Sequence, residues 1–551
     1  MTTLTRKPTS AITIVAALLL SASTLHAQGT GLVPSCDLVY AGIERLAELG
    51  VLDSVVIGQR PYSRREIARI ARIARERLAL RALRFEEITS YADGLVQQLD
   101  RFSDAAPDYA SEPVLALIDG LSARVTSTTA NRRGFPAPYS SLTEATIEPL
   151  AERRLGLPAD RGQTTALEVG NRIEPWSWLA IQARERIEYR RPYDSTLQRS
   201  RAEVLLASVR ARYRNAALTV GRQQYTWAQS AGDGLFLASD APALDLISLA
   251  ADAPFILPGF LRALGPTQAT LIVADLGPSA VRSHSKLLAY KVSVTPAHAV
   301  ELGGTFMNHY GGSGGRSSSF RDRLIDFLPF IDVFRKHNYV DTTRDFDVDS
   351  DKLLGVDGRV RFDQLAGATI AGELLIDDFD VHRLSKLLGS DGSQTLAILL
   401  PRLGSPAVSA KLSAKHMGIL TYTHSTLTNG ITTRGRLLGE ELGPDAKSYS
   451  ALLRLAPSSA VRFELEGRTS IYSDANYHAY YVDQARTIYR LYKVSKQADE
   501  LRDLLFGTVM LQPDVGIAIT MRAGAERIRN AYFQGGWRRD YVADIALRIG
   551  L

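Results

Sequence analysis

A glycine-rich segment is the first place where this sequence could present a nucleophile. Gly311–Gly315 has a serine at its centre and fits the spacing of a nucleophile elbow, a strained strand-to-helix turn that exposes a serine hydroxyl. A functional elbow continues into a helix, whereas this segment continues into Arg316 and three serines. We therefore interpret it as a flexible external loop.

Two acidic clusters could supply oxygen ligands to calcium. The first has aspartate at alternate positions, 345, 347, 349 and 351, and the second comprises Asp377, Asp378 and Asp380. A calcium loop needs glycine at its sixth position and an acidic residue at its twelfth, where this chain has Ser350 and Val356. We interpret both clusters as solvated acidic loops.

Histidine spacing and glycine loops give no support for an enzyme. The nine histidines include no pair at metal-binding helical spacing, and no glycine loop ends in Lys-Ser or Lys-Thr as a phosphate-binding loop does. The sequence therefore predicts no catalytic residue, no metal site and no cofactor.

The start of the chain predicts export. Arg6 and Lys7 precede an apolar run, Ala11–Leu20, and small or polar residues follow as far as Ala27. This is the layout of a secretory signal peptide, and we predict that residues 1–27 are removed. Cys36 is the single cysteine, so a disulfide within the chain is excluded, and we interpret it as a buried or idle thiol.

Charge and hydropathy exclude two classes of protein. The 551-residue chain has a formal net charge of +6, and its charged residues, 23% of the total, are dispersed, so we expect no nucleic-acid partner. A membrane helix needs about 20 apolar residues in succession. After the signal peptide the best candidate, Ala241–Leu261, is interrupted by Asp245, Asp252, Pro254 and Pro258, which excludes a membrane-spanning helix.

Residues 28–104 predict a small periplasmic helical region. Apolar residues fall three to four apart between Leu38 and Leu49, and Gly50 supplies a stop. Ser63–Glu66 has the form of a capping box, in which each side chain satisfies a backbone donor of the first helical turn. A weaker helical pattern covers Glu86–Leu99. Because these helices are amphipathic, they need a partner surface.

In the rest of the chain, apolar residues recur at every second position and no longer at every third or fourth. Residues 105–164 are rich in proline, serine, threonine and glycine, and they predict a linker with one candidate strand around Leu121–Thr128. Residues 165–551 predict a barrel. From Leu205 to Arg214, for example, apolar residues alternate with Ser208, Arg210 and Arg212.

Strand length and charge indicate a membrane barrel rather than a soluble sandwich. Several strands run for roughly nine residues or more and place arginine and glutamate together on the non-apolar face, as expected where one face meets lipid and the other a wet lumen. Short turns alternate with long connections such as Tyr310–Asp351, and the alternation from Tyr541 continues to Leu551. We predict an all-β transmembrane antiparallel up-and-down barrel that follows a small N-terminal α-helical region.

Two segments resemble the capsule assembly Wzi family. The first runs from Val33 to Ile67 and contains Gln59-Arg60-Pro61-Tyr62-Ser63, and the second runs from Val220 to Pro242 and contains Trp227. With the barrel pattern, the resemblance covers nearly all of the mature chain. It implies a barrel of roughly 18 strands in the cell outer membrane, with a helical bundle at its periplasmic mouth.

The resemblance also implies a function and a set of contacts. The protein is expected to associate with surface or capsular polysaccharide and to help assemble it at the cell surface, without catalysis. The candidate glycan-binding residues, which combine an aromatic face with polar and lumen-facing basic groups, are Trp227, Arg222, Gln224, Arg210 and Arg212. An internal structural role is the stronger alternative for Trp227. For Trp176 and most tyrosines we expect an interfacial aromatic girdle.

Two alternatives stay open. One is a passive porin-like outer-membrane channel, which differs from the polysaccharide-binding barrel in conducting ions steadily. The other follows from the N-terminal segment, which also resembles a surface-layer homology module and would then bind peptidoglycan or an associated polymer. The expected partners are therefore outer-membrane lipid, a surface polysaccharide and, through the helices, peptidoglycan.

Overall fold

The computed structural model describes most of the chain between residues 30 and 550. The described residues are 30–52, 55–81, 86–105, 113–131, 133–135, 145–147, 161–193, 200–229, 234–280, 282–314, 350–377, 392–419, 421–422, 430–473, 475–481, 489–496 and 498–550. The predicted signal peptide, the aspartates at 345–349 and Asp378 and Asp380 lie outside these ranges.

Within the described residues, three helices precede the sheet. They are α1 (Val39–Glu48), α2 (Arg64–Arg81) and α3 (Glu86–Leu99), and a 3₁₀ turn, Asp100–Ala105, follows them. Their apolar faces pack on one another in a core that includes the fully buried Leu46, Ile67, Ile70 and Leu99. Among the described residues, no helix has both the length and the apolar character needed to cross a membrane.

Local signals in the sequence account for the helix ends. Gly50 has a φ of +72° and ends α1. Glycine suits this position because the left-handed conformation is unfavourable for a residue with a Cβ atom. At the start of α2 the Ser63 Oγ accepts from the Glu66 backbone N–H at 3.1 Å, which is one half of the predicted capping box. The other half does not form, since the Glu66 carboxylate accepts instead from the Arg69 guanidinium at 2.7 Å. Cys36 is exposed, so the expectation of a buried thiol is wrong.

Eighteen long strands form the wall of a closed barrel, and each pairs antiparallel with its neighbours. The main sheet has a nineteenth strand, Phe255–Ile256, of only two residues. The wall strands are β1 (Val114–Thr128), β2 (Gly162–Trp176), β3 (Leu179–Pro192), β4 (Ser200–Tyr213), β5 (Ala216–Gln223), β6 (Leu244–Ala251), β7 (Pro266–Asp275), β8 (Lys286–Ala297), β9 (Val300–Tyr310), β10 (Ser350–Phe362), β11 (Ala368–Asp377), β12 (Gly392–Leu400), β13 (Val408–Met417), β14 (Ala446–Ser458), β15 (Val461–Tyr472), β16 (Glu500–Asp514), β17 (Ile517–Arg529) and β18 (Trp537–Gly550).

Strand β1 closes the barrel. It pairs with β2 on one side and with β18 on the other, so that Val125 lies opposite both Thr165 and Ile545. The wall therefore begins at Val114, inside the segment for which the sequence predicts a linker with one candidate strand. The predicted fold class, an antiparallel barrel of about 18 strands with a few N-terminal helices, is confirmed.

The barrel is apolar outside and polar inside. Large hydrophobic side chains on its outer face are strongly exposed, for example Leu505 and Ile545 at 58% each. On the inner face, Arg124 and Asp544 are buried and form an ion pair at 3.4 Å. This inversion of the usual burial pattern is expected of a wall whose outer surface meets lipid.

The helices identify one end of the barrel. Arg45 of α1 donates to the carbonyls of Pro401 and Pro406 at 2.5 and 2.7 Å, and both prolines lie in the short connection between β12 and β13. Gln98 of α3 donates to the carbonyl of Ser459 in the β14–β15 turn at 2.6 Å. The helices therefore dock on the short turns, which is the periplasmic end. The long connections lie at the opposite, external end.

Candidate functional site in the closed lumen

Two segments that are far apart in sequence meet inside the barrel. Residues 55–61 enter from the periplasmic helices, and residues 224–243 connect β5 to β6. They join as an antiparallel bridge, in which the Arg60 N–H donates to the Thr226 carbonyl at 2.9 Å and the Thr226 N–H donates to the Arg60 carbonyl at 3.0 Å. We call residues 55–61 the lower plug and the described residues between β5 and β6, 224–229 and 234–243, the upper plug.

The lower plug is fixed to lumen-facing side chains of three strands. The carboxylate of Glu301 on β9 accepts from the backbone N–H groups of Ile57 and Gly58, both at 2.9 Å. Gln59 accepts from the Thr270 hydroxyl on β7 at 2.9 Å, and it donates to the Ser293 hydroxyl on β8 at 2.9 Å. Because these groups are buried, each bond satisfies a donor or acceptor that water cannot reach.

The upper plug is held by the same region of the wall. Gln229 donates through its amide to Glu301 at 3.1 Å and to Asp357 of β10 at 2.6 Å. The Gln229 and Leu235 backbone N–H groups donate to the two oxygens of Glu373 on β11, at 3.0 and 2.9 Å. Lys291 of β8 neutralises Asp357 at 2.5 Å. The carboxylates of Glu301, Asp357 and Glu373 thus lie on adjacent strands and bond to the plugs. We call these three residues the clasp.

An apolar cluster seals the space above this clasp. Trp227, Leu235 and Leu237 of the upper plug are at most 1% exposed. They belong to a single core with lumen-facing residues from several strands, including Leu246, Ile272, Leu287, Ala289, Met307, Leu353, Leu375 and Met417. The lumen-facing side of a barrel wall is usually polar. The apolar residues on these strands therefore indicate that this part of the wall packs against the upper plug and not against water.

A second external connection, between β13 and β14, covers the upper plug. Tyr422 donates its hydroxyl to the Leu235 carbonyl at 2.6 Å and accepts from the Glu440 backbone N–H at 3.0 Å. Burial raises the pKa of Tyr422 well above its ordinary value, so this hydroxyl remains a donor at any physiological pH. The Tyr422 N–H in turn donates to Asp377 at 2.7 Å, which gives this aspartate an anchoring role.

Two small cavities lie beside the plugs. One, next to Gln229 and Arg359, measures about 30 Å³, and another, next to Gln59 and Thr270, measures about 10 Å³. Spaces of this size hold water molecules but not a sugar residue. At these two places, the described residues therefore leave no room for a glycan beside the clasp.

The opposite wall, β1–β4 and β15–β18, is lined by paired charges. Arg172 contacts Asp119 and Glu174 at 2.9 and 3.1 Å, and Arg502 contacts Glu500 and Glu526 at 2.6 and 2.9 Å. The same pattern recurs in Arg124–Asp544, Arg186–Glu168, Arg210–Asp252 and Arg468–Glu441. Each of these arginines thus has an acidic partner.

The five glycan-binding candidates do not lie together. Trp227 is buried in the core of the upper plug, and Gln224 donates to the carbonyls of Ser239 and Ala241, which shapes the same plug. Arg210 and Arg212 face the lumen near the periplasmic turns, where Arg210 contacts Asp252 at 2.9 Å. Arg222 faces outward with Leu218 and Val220 and forms a bidentate pair with Asp245 of β6. A shared glycan site for these residues thus has no geometric support.

These positions predict different effects for two arginine substitutions. R222Q removes a partly exposed pair on the outer face, and we expect a loss of at most about 1 kcal/mol of stability with no change in glycan retention. R210Q leaves Asp252 buried beside the distant Arg212, and we expect a loss of about 3 kcal/mol. Thermal unfolding in detergent measures both, and equal losses would contradict the assigned orientations.

The glycine-serine segment, the candidate metal ligands and the tryptophans singled out in the sequence form no catalytic site among the described residues. Ser313 follows β9 in an external connection, where its N–H and Oγ both contact the Ser283 carbonyl, at 2.9 and 3.2 Å. Among the described residues, no group of three or more histidine, cysteine, aspartate or glutamate side chains could hold a metal ion. Trp176 and Trp178 stack at 5.3 Å and are half exposed at the periplasmic edge, whereas Trp537 is exposed at the external edge. Tryptophans at both edges are the arrangement of an aromatic girdle.

The clasp is what sequence reasoning missed. Glu301, Asp357 and Glu373 look like ordinary lumen-facing acids, because in the sequence only their alternation with apolar neighbours is visible. A signal was nevertheless present. The two segments that resemble the Wzi family are the very segments that contain the lower and upper plugs, so their specific residues reflect mutual packing in the lumen.

Comparisons with known proteins agree with this architecture. The family model described as capsule assembly protein Wzi matches residues 136–536. Among solved structures, the chain is similar to Wzi, an outer membrane protein involved in group 1 capsule assembly in Escherichia coli and a carbohydrate binding β-barrel. The TM-score is 0.65 at 15% identity, and the match covers 95% of this chain and 99% of that one.

Two proteins of Pseudomonas aeruginosa are more distant. OccD3 matches with a TM-score of 0.42 at 9% identity, over 80% of this chain and 92% of that one. OprD matches with a TM-score of 0.42 at 10% identity, over 80% and 95%. No curated protein sequence matches the chain.

Proposed function

Because the chain belongs to the capsule assembly protein Wzi family, we propose that it is a non-conducting barrel that binds surface or capsular polysaccharide and helps to assemble it at the cell surface. Its location is the cell outer membrane. No catalytic step is part of this function.

One observation of the structure carries the proposal beyond family membership. The lower and upper plugs meet inside the barrel, and the wall supplies three carboxylates that accept hydrogen bonds from these plugs. A diffusion channel needs a continuous wet path, whereas this lumen is occupied by hydrogen-bonded backbone and a tryptophan core. This filled interior therefore supports a barrel that does not conduct solutes.

The closed lumen directs the glycan to the external end. Long connections lie there, between β9 and β10, β11 and β12, β13 and β14, and β15 and β16. One of them, the β13–β14 connection, rests on the upper plug through the bond from Tyr422 to Leu235, and the upper plug in turn bonds Glu373. A rigid floor beneath the loops lowers the entropy lost when they bind a long, flexible polymer.

Bilayer recording combined with glycan retention tests this function. We expect the purified wild-type protein to give no steady conductance in a planar bilayer. Cells that produce it should retain fluorescently labelled capsular polysaccharide, and cells that lack it should not. Steady ion flow without glycan retention would establish the passive channel instead. An unrelated open porin of similar strand number serves as the conductance control.

The periplasmic helices offer a surface for an anionic cell-wall polymer. Arg72, Arg75 and Arg77 of α2 are exposed; Arg72 pairs with Glu76 at 4.0 Å, and Arg75 pairs with Asp100. We propose that this face contacts peptidoglycan. Co-sedimentation with purified sacculi tests the contact, and it should be lost in a triple arginine-to-glutamine variant whose barrel remains folded.

A further inference from the structure

An outward-facing arginine cluster lies at the external edge of β17 and β18. Arg527 and Arg539 are directly opposite each other in the register of these two strands, and Arg529 lies opposite Trp537. All four side chains are exposed on the outer face of the barrel. Like charges placed directly across a strand pair destabilise it unless an anion lies between them.

The cluster has more positive charge than the protein neutralises. Arg527 pairs with Asp503 of β16 at 2.7 Å. Among the described residues, Arg529 and Arg539 have no ion-pair partner; Arg527 and Arg529 lie 5.1 and 5.7 Å from the Trp537 ring. A tryptophan ring beneath two guanidinium groups orients them through cation–π contacts but does not neutralise their charge.

The cluster borders a groove in the outer wall. The groove has a volume of about 370 Å³ and is lined by residues of β16, β17 and β18, including Asp503, Leu505, Arg527, Arg539 and Tyr541. Its lower side continues into the strongly exposed Leu505 and Ile545 of the apolar band. A molecule in the groove would thus have its charged part beside arginines and its apolar part beside the lipid-facing wall.

Other charges on the outer face show that this sector is distinctive. At the external edge of β5–β8, outward basic residues are neutralised: Arg222 by Asp245 at 2.7 Å and Lys286 by Asp275 at 2.8 Å. Beyond β1, the cationic sector continues as Arg161 over Tyr193 at 4.8 Å and Arg191 over Tyr189 at 5.8 Å. Basic and aromatic side chains thus share one side of the external rim.

We propose that the groove at β16–β18 binds the phosphorylated headgroup of a glycolipid in the outer leaflet. Guanidinium groups form bidentate, charge-assisted hydrogen bonds with phosphate. The position at the border of the apolar band favours a lipid over free phosphate, because only a lipid fills the adjacent apolar surface as well. Arg529 and Arg539 contact the phosphate, and Trp537 and Tyr541 lie beside the sugar.

Native mass spectrometry of the full-length protein in a zwitterionic detergent tests the site. The probe is bisphosphoryl lipid A, with chemically dephosphorylated lipid A and inorganic phosphate as the other two ligands. We expect the wild type to retain bisphosphoryl lipid A. The R529Q/R539Q variant should bind it at least about tenfold more weakly, since two charge-assisted contacts are lost.

The matched control is R222Q/K286Q, which removes the same amount of outward charge from the neutralised sector and should bind as the wild type does. R529K/R539K, which keeps both charges, should retain part of the affinity. Equal binding by R529Q/R539Q and the wild type would overturn the proposal. Displacement by millimolar inorganic phosphate, or equal retention of dephosphorylated lipid A, would overturn the assignment to a phosphorylated lipid. Glycan retention by cells is a separate readout, so failure here leaves the proposed function standing.

Discussion

E301A is expected to release the lower plug from the barrel wall. The substitution removes the acceptor of two buried backbone N–H groups, those of Ile57 and Gly58, together with one bond to Gln229. Each buried donor left without a partner costs about 1–3 kcal/mol. We therefore expect the Ile57 and Gly58 amides to exchange with deuterium on the order of 100-fold faster, which corresponds to about 2.7 kcal/mol.

Release of the lower plug should also be detectable as ion conductance. With the lower plug unseated, the path beside Gln229 opens to the periplasm, and brief openings should appear in a planar bilayer. T305A is the control, because Thr305 lies on the lumen face of the same strand, β9, and its hydroxyl makes no hydrogen bond to a described residue. If E301A exchanged and conducted as T305A does, the clasp would not be what holds the plug.

W227A is expected to destabilise the upper plug more than any other single substitution in it. Trp227 is 1% exposed within an apolar core, and deletion of a buried aromatic ring costs about 3–5 kcal/mol. Its indole nitrogen has no hydrogen-bond acceptor among the described residues, so W227F should lose only on the order of 1–2 kcal/mol. Thermal unfolding followed by near-ultraviolet circular dichroism measures both values.

The same pair of variants separates a structural tryptophan from a sugar-binding one. A structural role predicts that glycan retention follows stability, so that W227F retains the polysaccharide and W227A loses part of it. If W227F lost retention while its unfolding temperature stayed near that of the wild type, the indole would be contacting sugar, and its assignment to the core would be wrong.

The wall of the barrel was predictable because alternation along a strand is a local property. In β4, the expectation that Ser208, Arg210 and Arg212 share the inner face is confirmed by their burial pattern. The same rule, applied to β5, would have placed Arg222 outward with Leu218 and Val220. Its choice as a glycan contact came from the family-like segment and not from its strand position.

Strand β1 shows where the alternation fails. Its register against β2 shifts by two residues between Ala116 and Gly120, so residues 117–119 lie opposite a single residue of β2 and the alternation is interrupted there. A bulge of this kind breaks the period on which sequence reasoning depends. The pattern was therefore visible only in the part that follows Gly120, near the candidate strand at Leu121–Thr128.

The clasp could not be predicted for a different reason. Gln59 and Thr270, or Ile57 and Glu301, are more than 200 positions apart, and nothing local indicates that they meet. Such contacts depend on closure of the whole barrel, since residues on β7 and β9 converge on the lower plug only after all strands have paired. Resemblance pointed to both plug segments, and packing explains why.

The most direct test of the account is a disulfide between the two plugs. Arg60 and Thr226 exchange both backbone hydrogen bonds, which places their Cα atoms about 5.5 Å apart, within reach of a disulfide. In a background without Cys36, R60C/T226C should crosslink in the oxidising periplasm without added oxidant, and neither single variant should change mobility on a non-reducing gel. Free thiols in the folded double variant, labelled quantitatively from both sides of the membrane, would show that the segments do not meet in the lumen.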